Sequence, residues 1–495
     1  MNGNGKLPTN WHLAVIDDIT LPITKIDPKQ FPDQKYLYLD ISGIDNRQNR
    51  IVDHKVYLGK DAPSRARQLV QTDDILFSTV RTYLKNIAKV PRNFDGEVAS
   101  TGFSILRAAE GIDSDFLFYF TLTPQFLNPL ADLQRGTSYP AVRDSDVREQ
   151  TIPLPPLPEQ RRIVAKIEEL FTELDAGIAS LRTAQSQLKT YRQALLKHAF
   201  EGKLTGDWRA ENADTLEPAA VLLRRIADER QARYDAEVAE WEAGGKTGRK
   251  PRALKDVPTL SAAELTDLPA LPAGWAWVKV DALGEVQLGR QRSPKNRSKD
   301  FPTKYIRAAN ITENGLALTD VMDMEFTPDD FQRYQLKYGD ILLSEASGSP
   351  DQVGKPALWR NQIPNCCFQN TIIRLRLLDS LNNEYFLLLF KNFYANSVFA
   401  KTASGVGINH LSANKFASLA APLAPVNEQI QIVQEIDSRL SIIDQLEQTI
   451  TTALQQAESL RQSILQKAFA GQLVPQDEND EPASVLLARI RAARA

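Results

Sequence analysis

The chain is written twice, and any fold it adopts must be built from two related units. LPTNW at Leu7–Trp11 returns as LPAGW at Leu271–Trp275, and KYL at Lys35–Leu37 as KYI at Lys304–Ile306. DILFS at Asp74–Ser78 returns as DILLS at Asp340–Ser344. From about Ala99 to Asn212 the copies run in parallel at a constant offset of 269. In that stretch DFLFYF (Asp115–Phe120) matches EYFLLL (Glu384–Leu389), and LPPLPEQ (Leu154–Gln160) matches LAPVNEQ (Leu423–Gln429). AFEGKL (Ala199–Leu204) then matches AFAGQL (Ala468–Leu473). EPAAVLLRRI (Glu217–Ile226) recurs last, as EPASVLLARI (Glu481–Ile490). A period near 270 residues is too long for a solenoid repeat and marks two domain-sized units.

Each copy follows one plan. Short strand-like runs come first, such as YLYLDI (Tyr36–Ile41) and GFSILR (Gly102–Arg107), with turn residues between them. A short apolar helix is predicted around Asp113–Leu130 and again around Asn383–Ala400. A proline-rich stop follows, and then one long helix. Pro158 suits the first helical position, where its missing N–H costs nothing. In the second copy Asn427 stands there and is expected to cap Glu428–Gln429. Apolar residues then recur every seven: Ile167, Leu174, Leu181, Leu188 and Leu195, against Ile436, Ile443, Ile450, Ala457 and Ile464. The companion rank is expected at Ile163, Leu170, Gly177, Ala184 and Tyr191, against Ile432, Leu446, Ala453 and Leu460. A strict seven held for about five repeats is a coiled-coil seam; two ordinary amphipathic helices are the alternative.

The predicted fold class is therefore mixed α/β (α+β): two globular units in tandem, joined by two long helices, with an internal pseudo-two-fold repeat. The divisions fall at 1–155 (first unit), 156–206 (first spacer helix) and 207–267 (charged helix and linker). They continue at 268–424 (second unit), 425–475 (second spacer helix) and 476–495 (partial repeat). Residues 243–270 are rich in Gly, Pro and polar side chains, as a linker is.

Charge and cysteine usage narrow the function. The net charge is −3, from 59 basic and 62 acidic residues, which argues against wholesale basic wrapping of nucleic acid but leaves room for local patches. No run of 18 apolar residues would span a membrane, and MNGNGKLPTNW holds no apolar signal core, so a cytoplasmic location is expected. The only cysteines, Cys366 and Cys367, are adjacent and read as reduced buried thiols. Catalytic and metal-binding patterns are missing. His12, His54, His198 and His410 are scattered and make no HExxH spacing. There is no CxxC, no GxGxxG after a strand and no NPPY or DPPY tetrapeptide. GGKTG at Gly244–Gly248 resembles part of a phosphate loop, but Glu240 stands where the loop needs its first glycine.

Three segments could meet nucleic acid. The densest basic run is GRQRSPKNRSK, with Arg290, Arg292, Lys295, Arg297 and Lys299 and no acid. The offset between copies rises there from 264 to 269, so it is a five-residue loop insertion. Such a loop suits phosphate contacts or bidentate reading of guanine; a solvated surface loop is the alternative. The second candidate follows the DIL strand: Arg81, Tyr83, Lys85 and Asn86 in the first copy, and Ser347, Ser349, Gln352 and Lys355 in the second. The third precedes the long helix: RGTSYPAVR, with Arg135, Ser138 and Tyr139, against SGVGINHLS, with Asn409 and His410. Gly136 and Gly405 correspond and would allow close backbone approach. His410, taken alone, is more often structural. These loops differ between the copies while strands and helices match, so the chain reads as two readers on one scaffold.

The order of a variable unit, a PLPPLxEQ motif, a heptad helix and AFxGKL, all repeated once, resembles the specificity subunit of type I restriction–modification enzymes. LPPLPEQRRIVAKIEELF (Leu154–Phe171) and AFEGKLTGDWR (Ala199–Arg209) carry the likeness, and LPTNW and LPAGW resemble its unit openings. The resemblance covers essentially the whole chain. It implies that each variable unit is a target-recognition domain for one half of a split, asymmetric DNA site. It also implies that the two long helices pair as an antiparallel coiled coil that sets the distance between the halves. Two methyltransferase subunits would bring S-adenosylmethionine and adenine methylation. Restriction subunits would bring ATP, Mg and cleavage, and this chain would bind no cofactor or metal. Residues 213–250 and 481–495 fit the likeness less well and are a candidate docking element for partner subunits. Two other classes remain open on residues alone: a stand-alone DNA methyltransferase or nuclease, whose motifs are missing, and a coiled-coil adaptor that binds only proteins.

Overall fold

A computed structural model of the chain describes residues 7–246, 250–251, 253–254, 256, 259–292, 301–405 and 408–494. Contacts divide it into Met1–Thr183 with Ile450–Ala495 (unit one) and Ala184–Thr449 (unit two). The borders fall inside the long helices, so each unit holds one half of each helix.

In unit one the strand His12–Val15 pairs antiparallel with Thr151–Leu154 and returns the chain to its start just ahead of the long helix. Between them lie two four-stranded sheets. One runs Lys55–Leu58, Lys35–Leu39, Val98–Ser100, Ala66–Leu69, and the other Thr20–Leu21, Phe103–Ala108, Ile75–Ser78, Ile87–Lys89. Ile75–Ser78 is buried along its whole length, which is why DILFS reads as an unbroken apolar run and not an alternation. Unit two repeats the design. Ala276–Lys279 pairs with Ala420–Leu423, and Gly284–Leu288, Ile372–Leu377, Ile341–Ser344 and Pro356–Leu358 form its central sheet.

The repeat extends to single hydrogen bonds. Buried Asp74 receives Arg107 through Nε at 2.8 Å and Nη2 at 2.7 Å, and buried Asp340 receives Arg376 at the same two distances. Gln160 accepts the Asp113 N–H at 2.8 Å and donates to the Pro155 carbonyl at 3.0 Å. Gln429 accepts the Asn382 N–H at 3.2 Å and donates to the Ala424 carbonyl at 2.8 Å. Asp113 and Asn382 in turn cap the apolar helices Ser114–Thr121 and Asn383–Ala395. The glutamine of each EQ pair thus fastens a long helix to its globular unit. Each predicted apolar helix is two helices: Pro124–Asp132 follows in unit one, behind Thr123 and Pro124, and Val398–Thr402 follows in unit two.

The long helices are Leu157–Phe200 and Val426–Phe469, 44 residues each. They begin one residue earlier than expected, because Gln160 and Gln429 donate to the Pro156 and Pro425 carbonyls. Pro158 is therefore second in its helix, and Asn427 lies inside the first turn rather than capping it. Ile436, Ile443, Ile450, Ala457 and Ile464 are all buried, as are Ile167 and Leu195, while Leu174, Leu181 and Leu188 are half-buried. The companion rank differs from expectation. Gly177 and Tyr191 are exposed, Leu446 is 45% exposed and Leu460 51%. Its other members do turn inward, Ile163 and Ile432 fully buried and Leu170, Ala184 and Ala453 half-buried; beside them Phe171, Ile178 and Arg192, and Leu440, Glu447, Leu454 and Arg461, also face inward. Alternate steps of four and three follow the 3.6-residue turn from the opposite side of the rank.

Pairing is antiparallel within each unit. In unit one Arg461 pairs with Asp175 and lies 4.3 Å from the Phe171 ring centroid. In unit two Arg192 pairs with Asp444, and with Glu447 at 3.3 Å. The last repeat element docks likewise in both. Ala219 donates its N–H to Gly274 at 3.1 Å, with Leu222 and Ile226 buried beneath the helix Ala219–Ala243. Ala483 donates to Asn10 at 3.0 Å, with Leu486, Leu487 and Ile490 buried beneath Ala483–Arg494. The apolar faces of these two segments pack on their own units. Cys366 and Cys367 are free and buried, and burial pushes both thiols up to about 12. Among the described residues no helix is long and apolar enough to cross a membrane, and no cluster of metal-ligating side chains occurs.

Candidate nucleic-acid interface

Two of the three predicted segments come together in each unit. In unit one the chain leaving Ile75–Ser78 meets the hairpin before the long helix: Val80 bridges Ala141, and Arg81 donates its N–H to the Pro140 carbonyl at 2.7 Å. The hairpin is closed by reciprocal bonds of 2.9 Å between Arg135 and Ala141. In unit two Ala346 pairs with His410 and Ser347 with Asn409, and Ser404 and His410 close the equivalent hairpin at 3.0 and 3.1 Å. Gly405 is required there, since a β-carbon would lie 2.0 Å from the Ile408 carbonyl oxygen.

The unit-one loop is held in a bent shape. Arg81 (φ 50°) and Lys85 (φ 53°) are left-handed, a conformation non-glycine residues seldom adopt. Asn46 donates to the Leu84 carbonyl at 2.8 Å, Asn49 to Lys85 and Ile87 at 3.2 Å, and Gln134 to the Thr82 hydroxyl at 2.6 Å. The Arg81 guanidinium lies 4.7 Å from the Tyr139 ring centroid and donates to the Ser138 carbonyl at 3.1 Å. Tyr83 is 60% and Tyr139 71% exposed. Arg135 is tied to Asp146 at 2.6 Å and holds that carboxyl below its ordinary value. Its charge is largely answered by this carboxylate of the short helix Asp144–Arg148, which makes Arg135 a brace between hairpin and helix.

The unit-two loops are less basic. His410 Nδ1 sits 3.1 Å from Glu345, whose side chain is mostly buried, so the ring is oriented with its other nitrogen available. Lys355 donates to Gln352 at 2.6 Å, and Ser347 accepts the Ser349 N–H at 3.2 Å. Lys415 donates to the Ser404 hydroxyl at 2.7 Å. Glu345, Lys415, Gln134, Asn46 and Asn49 were not singled out by the sequence. Only NRQN, with its turn residues, carried a local sign of its role.

The basic insertion is partly engaged. Arg290 is mostly buried, pairs with Asp330 at 2.8 Å and lies 5.2 Å from the Phe326 ring centroid. Arg292 is exposed; Lys295, Arg297 and Lys299 lie outside the described residues. The root of this loop adjoins the strand that pairs with the Ser404–His410 hairpin: Asn370 donates to the Arg290 carbonyl, and the next residue, Thr371, accepts the Glu345 N–H at 2.8 Å. Each unit thus presents two joined loops on a repeated frame, with different side chains on the two copies.

Comparison with known proteins agrees with this arrangement. The family model "Type I restriction modification DNA specificity domain" matches residues 46–181 and 272–456. The chain is 25% identical over 513 residues to the type I restriction enzyme EcoKI specificity subunit of Escherichia coli K12, covering 99% of this chain and 97% of that protein. Among solved structures, a chain from a study of complex assembly and conformational transition of the type I R-M system superimposes with a TM-score of 0.67 at 26% identity. That match covers 94% of this chain and 99% of the other. The HsdS subunit from Thermoanaerobacter tengcongensis superimposes with a TM-score of 0.59 at 27% identity, over 95% and 99% of the two chains.

Proposed function

This chain belongs to the type I restriction–modification DNA specificity family, and from that premise we propose that each of its two units reads one half of a split, asymmetric DNA site. The observation that carries the reading is the pairing of loops. One frame, repeated down to Asp74–Arg107 and Asp340–Arg376, presents Arg81, Tyr83, Lys85, Ser138 and Tyr139 in one unit. In the other it presents Ser347, Lys355, Asn409 and His410. Two identical readers would bind a symmetric site, and two different ones an asymmetric site. The basic insertion, with exposed Arg292 and with Lys295, Arg297 and Lys299 following it in sequence, adds phosphate contacts to the second reader.

The chain is the non-catalytic member of its complex. It assembles with two modification subunits, which hold S-adenosylmethionine and methylate adenine, and with restriction subunits, which use ATP and Mg. It binds none of these cofactors itself and works in the cytoplasm, where the DNA is. Mapping methylated adenines across the host genome, with this gene present, deleted and restored, tests the reading. A split motif is expected to vanish on deletion and to return on restoration. A motif that persists without the gene would sink the proposal.

A further inference from the structure

Arg81 is held differently from the three arginines Arg107, Arg135 and Arg148 of the same unit. Arg107, Arg135 and Arg148 are each tied to a carboxylate, of Asp74, Asp146 and Asp144 respectively. Among the described residues no carboxylate pairs with Arg81. Its backbone is left-handed at φ 50°, fixed by the Pro140 carbonyl on one side and by the Leu84 N–H, which donates to the Arg81 carbonyl at 2.8 Å, on the other. Its guanidinium lies over the Tyr139 ring, 4.7 Å from the centroid, and Nη2 donates to the Ser138 carbonyl at 3.1 Å. The shelf itself stands in solvent.

A charge meant for phosphate needs no such fixing, since a flexible lysine serves as well. A guanidinium held over a ring, with one nitrogen anchored, keeps the Nη1 hydrogens and the second Nη2 hydrogen for a ligand. Two N–H groups side by side match the O6 and N7 acceptors of guanine in the major groove. In unit two Ser347 and the exposed Ile408 stand on the corresponding loops, so that unit has neither the fork nor the aromatic shelf.

We propose that Arg81, laid on Tyr139, reads a guanine at one position of the half-site recognised by unit one. The proposal rests on the assignment of these loops as the DNA interface. The test uses the complex of full-length chain with its modification subunits, methylating a library in which each half-site position is varied. Arg81→Ala and Arg81→Lys are both expected to relax one position of one half-site, losing about 5- to 150-fold discrimination there. The other half-site should be unchanged, which also shows that the complex is intact. Tyr139→Phe should keep the motif, and Tyr139→Ala should weaken the same position. An unchanged motif in both Arg81 variants overturns the proposal. So does a uniform loss over all sequences with a shallower salt dependence, which is the signature of a phosphate contact. Exchanging residues 80–85 and 135–141 for 346–351 and 404–410 separates the two claims. If that exchange alters the half-site while the Arg81 variants do not, only the guanine reading fails. If the exchange alters nothing, the interface assignment fails with it.

Discussion

Glu159 and Glu428 occupy the same place in the two copies and face different surroundings. Glu428 is fully buried and accepts from Thr205 at 2.7 Å, from Arg209 Nε at 2.9 Å and Nη2 at 2.6 Å, and from Trp275 at 2.8 Å. Glu159 is buried too, but the second copy has Glu478 where the first has Arg209. Burial pushes the Glu159 carboxyl up, against the weaker pull of the Trp11 indole and Arg162. A carboxyl raised on folding holds its proton more tightly in the native chain. It therefore withdraws stability as the pH climbs from the ordinary glutamate range through its raised value, and restores it as the pH falls. Glu159→Gln should leave unit one as stable or more stable at pH 7 and remove that slope. Glu428→Gln strands the largely buried Arg209 and should cost unit two about 3 kcal/mol. Hydrogen exchange of the full chain, followed in Ser114–Thr121 and Asn383–Ala395, reads the two units separately. Equal effects of the two substitutions would contradict this account.

Among the elements, the long helices make the plainest test. Ile443→Ala removes a buried seam side chain and should cost about 2–5 kcal/mol, whereas Leu446→Ala, three residues on, should change stability by about 0.5 kcal/mol or less. Thermal melts of the full chain would distinguish them, and a larger loss at Leu446 would restore the companion rank read from sequence. The strict sevens were legible because a residue seven on returns to the same face whichever neighbour completes the seam. The companion rank was legible at Ile163 and Ile432 but not at Tyr191, Leu446 and Leu460, whose places are taken by Arg192, Glu447 and Arg461, and no apolar pattern reveals their ion pairs across the helices. Both reading loops were legible as places where the copies diverge. Their meeting was not, since Val80 and Ala141, or Ala346 and His410, are joined only by strands that return from far along the chain. Arg290 read as a free charge because its partner, Asp330, is distant in sequence.

At the scale of the molecule, four residues inserted beside Gly177, where a side chain would meet open space, and four beside exposed Ser459 lengthen both helices by about 6 Å each. A four-residue stutter locally unwinds a coiled coil without ending it. At about 3.4 Å per base pair, the variant is expected to methylate the same two half-sites across a spacer one or two base pairs longer. Methylation mapping of a strain carrying the variant measures this, and an unchanged spacer would show that the helices do not set it. The docking of Ala483–Arg494 on unit one has a consequence in time. That unit's own strands are finished at Leu154, yet its core also needs Ile464, Phe469, Leu486 and Ile490. At about 5–20 residues per second on the ribosome, the wait is roughly 20–70 s, while residues 184–449 are made and can close around a core of their own. The reader translated first is thus the last to be sealed, with Phe116 and Phe120 lacking the Phe469 ring they pack on in the interval. A chain truncated after residue 449 and released from the ribosome should be cut by protease in its N-terminal third and spared over residues 184–449.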